Sequence, residues 1–156
     1  SPPATGGTNW MSPAYSPRTG LFYVMAFDGE AEFFIRDEEY VGGDSFIGGG
    51  QQRVLPIERY TSAVRAIDPR TGDRRWEYRL QPQTWAGLLT TASDLVFGGS
   101  VDGYFYALDA VSGRGLWHIA VGAQVRAAPM TFAVDGQQYV TIAAGNVIYT
   151  FGLDED

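Results

Sequence analysis

The chain has 156 residues, a net charge of −7, 45% hydrophobic and 19% charged residues, a composition that builds a core and argues against disorder. Its 11 basic residues are all arginine and it has no cysteine, which excludes Schiff-base and Walker-type lysine chemistry, disulfide frameworks and thiolate metal sites. The acidic balance argues against nucleic acid or an anionic membrane surface as partner, and no apolar run reaches the roughly 20 residues of a membrane span.

Helical periodicity is absent. Short apolar or alternating runs ending in Gly, Asp or Pro predict an all-β chain, with strands at Leu21 to Phe27, Ala31 to Arg36, Ser62 to Asp68, Arg74 to Leu80, Asp94 to Gly98, Tyr104 to Asp109 and Gln138 to Ala143. Pro-Arg-Thr-Gly, Val-Asp-Gly and Ser-Gly sequences between them supply the backbone freedom of tight turns. The start at Ser1-Pro2-Pro3, without an initiator Met, predicts a piece of a longer protein.

One segment repeats without gaps. Ala66-Ile67-Asp68-Pro69-Arg70-Thr71-Gly72-Asp73-Arg74-Arg75-Trp76 aligns with Ala107-Leu108-Asp109-Ala110-Val111-Ser112-Gly113-Arg114-Gly115-Leu116-Trp117, an offset of 41 residues. A period in the 40s with four short strands per unit is the size of a β-propeller blade. Each copy then spans a strand, a turn and the next strand, the Asp and Thr/Ser closing the turn through side-chain hydrogen bonds. Three hairpin centres, at Gly20-Leu21, Ser93-Asp94-Leu95 and Asp135-Gly136, set the phase. The expected organisation of residues 1–156 is therefore a partial propeller of about three four-stranded antiparallel blades. The first runs over 10–80 with an insert at 28–59, the second over 85–122, and the third, lacking its fourth strand, over 126–153.

The repeated Ala-x-Asp-x-x-Thr/Ser-Gly-x-x-x-Trp resembles the tryptophan-docking motif of pyrroloquinoline quinone (PQQ) propellers. In that family the Trp packs on the Gly turn of the neighbouring blade, which implies a structural docking role for Trp76 and Trp117. The opening Gly6-Gly7-Thr8-Asn9-Trp10, with Pro13, Tyr15 and Pro17 to Val24, resembles the start of a late blade in PQQ-dependent alcohol dehydrogenases, as does Trp85 to Phe97. The resemblance covers nearly the whole chain outside the insert and implies the C-terminal blades of an eight-bladed quinoprotein.

By that resemblance Asn9 donates its amide to the PQQ cofactor, and Trp10 and Trp85 line the cofactor cavity. The residues alone also allow Asn9 to cap a turn and both Trp to sit in a core. Many relatives carry a Trp near the last strand where this chain has Ala143-Ala144-Gly145-Asn146, so Asn146 offers a polar substitute. The family's Ca²⁺ or lanthanide ligands and catalytic Asp lie upstream, so no catalytic or metal-binding residue is expected within this chain. The implied whole is a periplasmic dehydrogenase acting on an alcohol or similar hydroxyl or aldehyde substrate. A non-catalytic propeller serving as a protein-interaction scaffold is the competing reading. The chain's expected partners are the remaining blades or copies of itself.

Other chemistry is less well supported. Asp37-Glu38-Glu39 with Asp44 matches no EF-hand spacing and reads as a solvated loop. The Gly-rich run at 42–50 lacks a following helix, which argues against dinucleotide binding. His118 reads as a strand-surface or interblade residue. Arg126 reads either as a carboxylate-binding fork or as half of an interblade salt bridge.

Overall fold

The structure is a computed structural model and describes residues 3, 5–53, 55–81 and 83–152. Among them the regular structure is strand throughout, apart from one 3₁₀ turn at Ile57–Arg59. The first sheet contains β1 (Ala14–Ser16), β2 (Leu21–Asp28), β5 (Thr61–Ile67) and β6 (Arg74–Leu80), in that order and antiparallel throughout. The second is a meander of β7 (Leu89–Thr90), β8 (Leu95–Gly99), β9 (Tyr104–Asp109) and β10 (Gly115–Ala120). The third holds β11 (Met130–Val134), β12 (Gln137–Ala144) and β13 (Val147–Gly152).

Between β2 and β5 the insert forms its own two-stranded sheet from β3 (Ala31–Ile35) and β4 (Gly49–Arg53). The expected strands did not include β4, whose first two residues are the end of the Gly-rich run. The reason for glycine there is steric: a Cβ on Gly49 would sit 2.3 Å from the Phe34 carbonyl oxygen, and one on Gly50 would sit 2.8 Å from the Phe34 ring. Only glycine lets this strand pass under Phe34. The edge strands β1, β7 and β11 were also absent from the expected set. β7 is two residues long, too short to carry an alternating pattern.

Two apolar layers join the sheets. Tyr23, Met25, Val64, Val96, Tyr106 and Leu108 form the buried centre between the first and second sheets. Phe105, Val121, Val125, Ile142 and Ala144 do the same between the second and third.

The repeated turns share one set of hydrogen bonds. Gly72 N–H reaches the Asp68 carbonyl at 2.8 Å, and Gly113 N–H reaches that of Asp109 at 2.8 Å. Both glycines have positive φ, 80° and 73°, a region that a Cβ disfavours. The Asp68 carboxylate accepts from Arg70 N–H at 3.0 Å, and that of Asp109 accepts from Ser112 N–H and Oγ–H, each at 2.7 Å. Thr71 Oγ1 and Ser112 Oγ then accept from the N–H two residues on.

At the first of these joints Trp76 lies against the second turn. Its indole N–H donates to the Ala110 carbonyl at 3.0 Å, and a Cβ on Gly113 would sit 2.5 Å from its ring. Tyr23, whose ring centroid is 5.6 Å from that of Trp76, donates its hydroxyl to the same carbonyl at 3.0 Å.

Gly113→Ala therefore meets both a positive φ and the Trp76 ring. It should cost about 2 kcal/mol or more by thermal or urea unfolding. Gly136→Ala is its control, since Gly136 shares the positive φ but has open space; it should cost only about 1 kcal/mol.

Acid should loosen these turns. Hydrogen bonds from the Arg70 guanidinium and backbone, with Arg75 adding to them, hold the Asp68 carboxyl at about 2 instead of its ordinary 3.8. Asp109 is lowered chiefly by the Ser112 hydroxyl and backbone, and Glu77 chiefly by Arg65. Carboxyls lowered in the folded state contribute stability that is fully present above their ordinary values and is lost as pH falls through the folded ones. Stability should thus fall between about pH 4 and pH 2, and Asp68→Asn should flatten that fall in a pH series of denaturant midpoints.

Candidate functional site

Each sheet is preceded by an irregular lead-in segment, at 5–13, 83–88 and 123–129, which delivers the chain to β1, β7 and β11. The first is tied to the far end of β2, where Phe27 N–H donates to the Gly7 carbonyl at 2.7 Å. Leu88 N–H donates to the Ser12 carbonyl at 2.9 Å, linking the first and second segments. A Cβ on Gly87 would lie 2.6 Å from the Ala128 Cβ and 3.3 Å from the Ser12 nitrogen. Gly87 is thus the spacer that lets all three segments meet at one end of the arc.

Asn9 is exposed and its side chain closes the first segment. Its Nδ2 donates to the Thr5 carbonyl at 3.0 Å and its Oδ1 accepts from Trp10 N–H at 2.8 Å. A primary amide has two hydrogens to donate, and one remains uncommitted among the described residues. Trp10 is 64% exposed, so it is a surface ring. Trp85 is half-buried, with its ring centroid 4.7 Å from that of Phe27 at an interplanar angle of 56°. Phe27 is the residue that sequence reading missed: it anchors Trp85 with its ring and the Asn9 segment with its N–H. The only sequence signal for it was its position at the end of the apolar run of β2.

The remaining candidates lie apart from this group. Trp117 packs edge-on against Phe105 and Phe151 at 6.0 and 5.5 Å. With them it lines a cavity of about 430 Å³ between the second and third sheets, at the opposite end from the lead-in segments. No turn on which Trp117 would dock is found among the described residues. His118 is exposed on β10, its ring 5.7 Å from that of Tyr104. Asp37, Glu38, Glu39 and Asp44 are spread along the insert loop, where Glu38 accepts from Gly48 N–H at 3.3 Å. Among the described residues no three His, Cys, Asp or Glu are placed to share a metal ion, and no helix is long and apolar enough to cross a membrane. Asn146 is exposed in the β12–β13 turn, whose Gly145 N–H donates to the Gln124 carbonyl at 3.2 Å. That contact brings Asn146 close to the third lead-in segment.

Residues 79–140 match the family described as "PQQ: Glucose/ethanol/alcohol dehydrogenase, beta-propeller domain". A quinoprotein ethanol dehydrogenase of Pseudomonas aeruginosa is 39% identical over 99% of this chain and 25% of its own length. A lanthanide-dependent methanol dehydrogenase of Methylacidiphilum fumariolicum is 32% identical over 92% of this chain and 24% of its own. Among solved structures, the quinohemoprotein alcohol dehydrogenase ADHIIG of Pseudomonas putida superimposes with a TM-score of 0.84 at 31% identity, over 95% of this chain and 23% of that one. The chain thus spans about a quarter of the length of the curated relatives it matches. With its all-β sheets and repeated turns, the chain is similar over nearly its whole length to an arc of the β-propeller of quinoprotein alcohol dehydrogenases.

Proposed function

We propose that this arc is part of the wall and quinone site of a PQQ-dependent dehydrogenase that oxidises an alcohol or similar hydroxyl or aldehyde substrate. In this reading the blades are 10–80, 85–122 and 126–153, Trp76 and Trp117 are the docking residues between them, and Asn9, Trp10 and Trp85 face the cofactor. The observation that carries it is the meeting of the lead-in segments that bear Asn9, Trp10 and Trp85 at one end of an arc 39% identical to an ethanol dehydrogenase.

The residues present suit the group. PQQ is planar and rich in acceptors, while Asn9 holds one uncommitted amide hydrogen and both tryptophans offer ring surface. When bound, PQQ supplies the two-electron acceptor for the oxidation. The chain's own contribution is positioning. The Thr5 carbonyl and Trp10 N–H fix the Asn9 amide, so its free hydrogen points in a set direction at little entropic cost. Phe27 fixes the plane of Trp85 and helps keep water from that side of the site. The Ca²⁺ or lanthanide and the base that removes the hydroxyl proton belong to other blades, and the whole protein to the periplasm. The complete set of blades is the expected partner; without it, the exposed apolar residues of β11, such as Met130 and Val134, favour self-association.

Asn9→Ala in the full-length protein should weaken PQQ binding about tenfold, the worth of a hydrogen bond to a charged acceptor, read by titrating apo-protein and following quinone absorbance. Unchanged affinity would remove Asn9 from the site. The 156-residue chain alone, given PQQ and Ca²⁺, should oxidise no alcohol in a dye-linked assay and should scatter light as an oligomer at micromolar concentration. Turnover would show that the upstream blades are dispensable, and a strictly monomeric species would refute the association.

A further inference from the structure

We infer that Arg126 binds a carboxylate of the ligand held at the lead-in segments, an assignment that rests on the quinoprotein reading of that site. Arg126 follows Trp85 by 41 residues, the same interval that separates Trp76 from Trp117. The structure turns this interval into a spatial equivalence. Gly87 lies against both Ser12 and Ala128, and these three residues each lie two positions after Trp85, Trp10 and Arg126 respectively. Arg126 therefore holds in the third segment the position that the two tryptophans hold in the first and second.

Its backbone is fixed by the residue before it. Val125 is fully buried, donates its N–H to the Ser100 carbonyl at 3.1 Å and bridges to Ala144. Its side chain fills the space over Gly99, where a Cβ would come within 2.2 Å. With Val125 turned inward, the next residue in an extended chain turns outward, and Arg126 is exposed.

The charge of Arg126 has not been spent within the arc. Arg18, Arg65, Arg70, Arg74, Arg75 and Arg79 each hold a carboxylate within 3.2 Å. Arg126 instead donates Nε–H to Gln124 Oε1 at 3.1 Å, and no carboxylate lies within salt-bridge distance among the described residues. The interblade ion pair allowed by the sequence is thus not formed among the described residues. Gln124 steadies the guanidinium while leaving both terminal nitrogens open, the fork that matches a carboxylate bidentately. Arg126 is also the sole charged residue in the three lead-in segments of a chain with net charge −7.

The carboxylate can come from PQQ, which carries three, or from the substrate, and the two sources separate experimentally. In the full-length protein, Arg126→Gln and Arg126→Lys are titrated with PQQ by quinone absorbance at low and high salt. KM is then measured for 1-hexanol and for 6-hydroxyhexanoate. If the cofactor is the source, Arg126→Gln weakens PQQ binding at least tenfold with a smaller salt dependence, and Arg126→Lys restores part of the loss. If the substrate is the source, PQQ affinity holds, the KM for 6-hydroxyhexanoate rises at least fivefold and that for 1-hexanol stays put. Wild-type PQQ affinity and both KM values retained in Arg126→Gln, with an unchanged melting curve, overturn the assignment but leave the quinoprotein reading intact. A wild-type protein that takes up no PQQ overturns that reading and the assignment with it.

Discussion

The carbonyl of Ala110 is the point on which the arc turns. It accepts one hydrogen bond from the indole of Trp76 and another from the phenol of Tyr23, both from the neighbouring sheet. A carbonyl oxygen has two lone pairs, and here both are used. Each donor leaves an aromatic ring packed in the layer between the sheets, where an unpaired polar group would cost about 1–3 kcal/mol. Because Tyr23 lies in β2 and Trp76 in β6, one acceptor holds two separate strands of the first sheet to a single turn of the second. The ring of Trp76 occupies the space that the missing side chain of Gly113 leaves. The angle between the two sheets is therefore set by a hydrogen bond and a steric vacancy together, which is more specific than apolar burial alone.

That joint lies at one end of the strands and the lead-in segments at the other. Strands are stiff over five to eight residues, so fixing the sheets at the Ala110 end also fixes where their opposite ends meet. The consequence is visible at Gly87, which sits between Ser12 and Ala128 with no room for a side chain. A small change in the angle between sheets would open or crush this contact, and with it the spacing of Trp10, Trp85 and Arg126. The rigid apparatus and the candidate site are thus separated along each strand but geometrically linked through it. Val125 repeats the device between the second and third sheets, filling the space over Gly99 while holding Ser100 and Ala144 through its backbone.

What could be read from the sequence follows from how local each constraint is. The Asp-x-x-Thr/Ser-Gly turns were legible because their hydrogen bonds close within five residues and demand particular side chains. The longer strands were legible from their apolar runs. β4 was not, because its glycines answer to Phe34 on another strand and carry no strand pattern by themselves. β1 and β7, three and two residues long, were too short to carry a period. At the candidate site, the adjacency of Asn9 and Trp10 was plain, but their attachment to β2 through Gly7 and Phe27 was not. The contact of Phe27 with Trp85 crosses the whole insert and leaves no trace in local pattern. For Arg126 the sequence left two roles open, and among the described residues the ion pair is not made.

The distribution of charge gives the arc a definite chemical character. Around its edge strand β6 the arginines are ion-paired: Glu77 accepts from Arg65, Arg74 and Arg79, and Asp68 from Arg70 and Arg75. The insert at 28–59 carries eight acidic residues against three arginines. The lead-in segments, by contrast, are neutral except for Arg126 and are built from small residues, amides and aromatic rings. Such a surface can flank a flat ligand, donate to its acceptors and meet one negative group. It has no carboxylate with which to hold a hard cation or to take a proton from a hydroxyl, because those tasks need clustered anionic oxygens. In the proposed reading the division of labour follows from this composition: this arc receives and orients the ligand, and the oxygen-rich chemistry belongs to other blades.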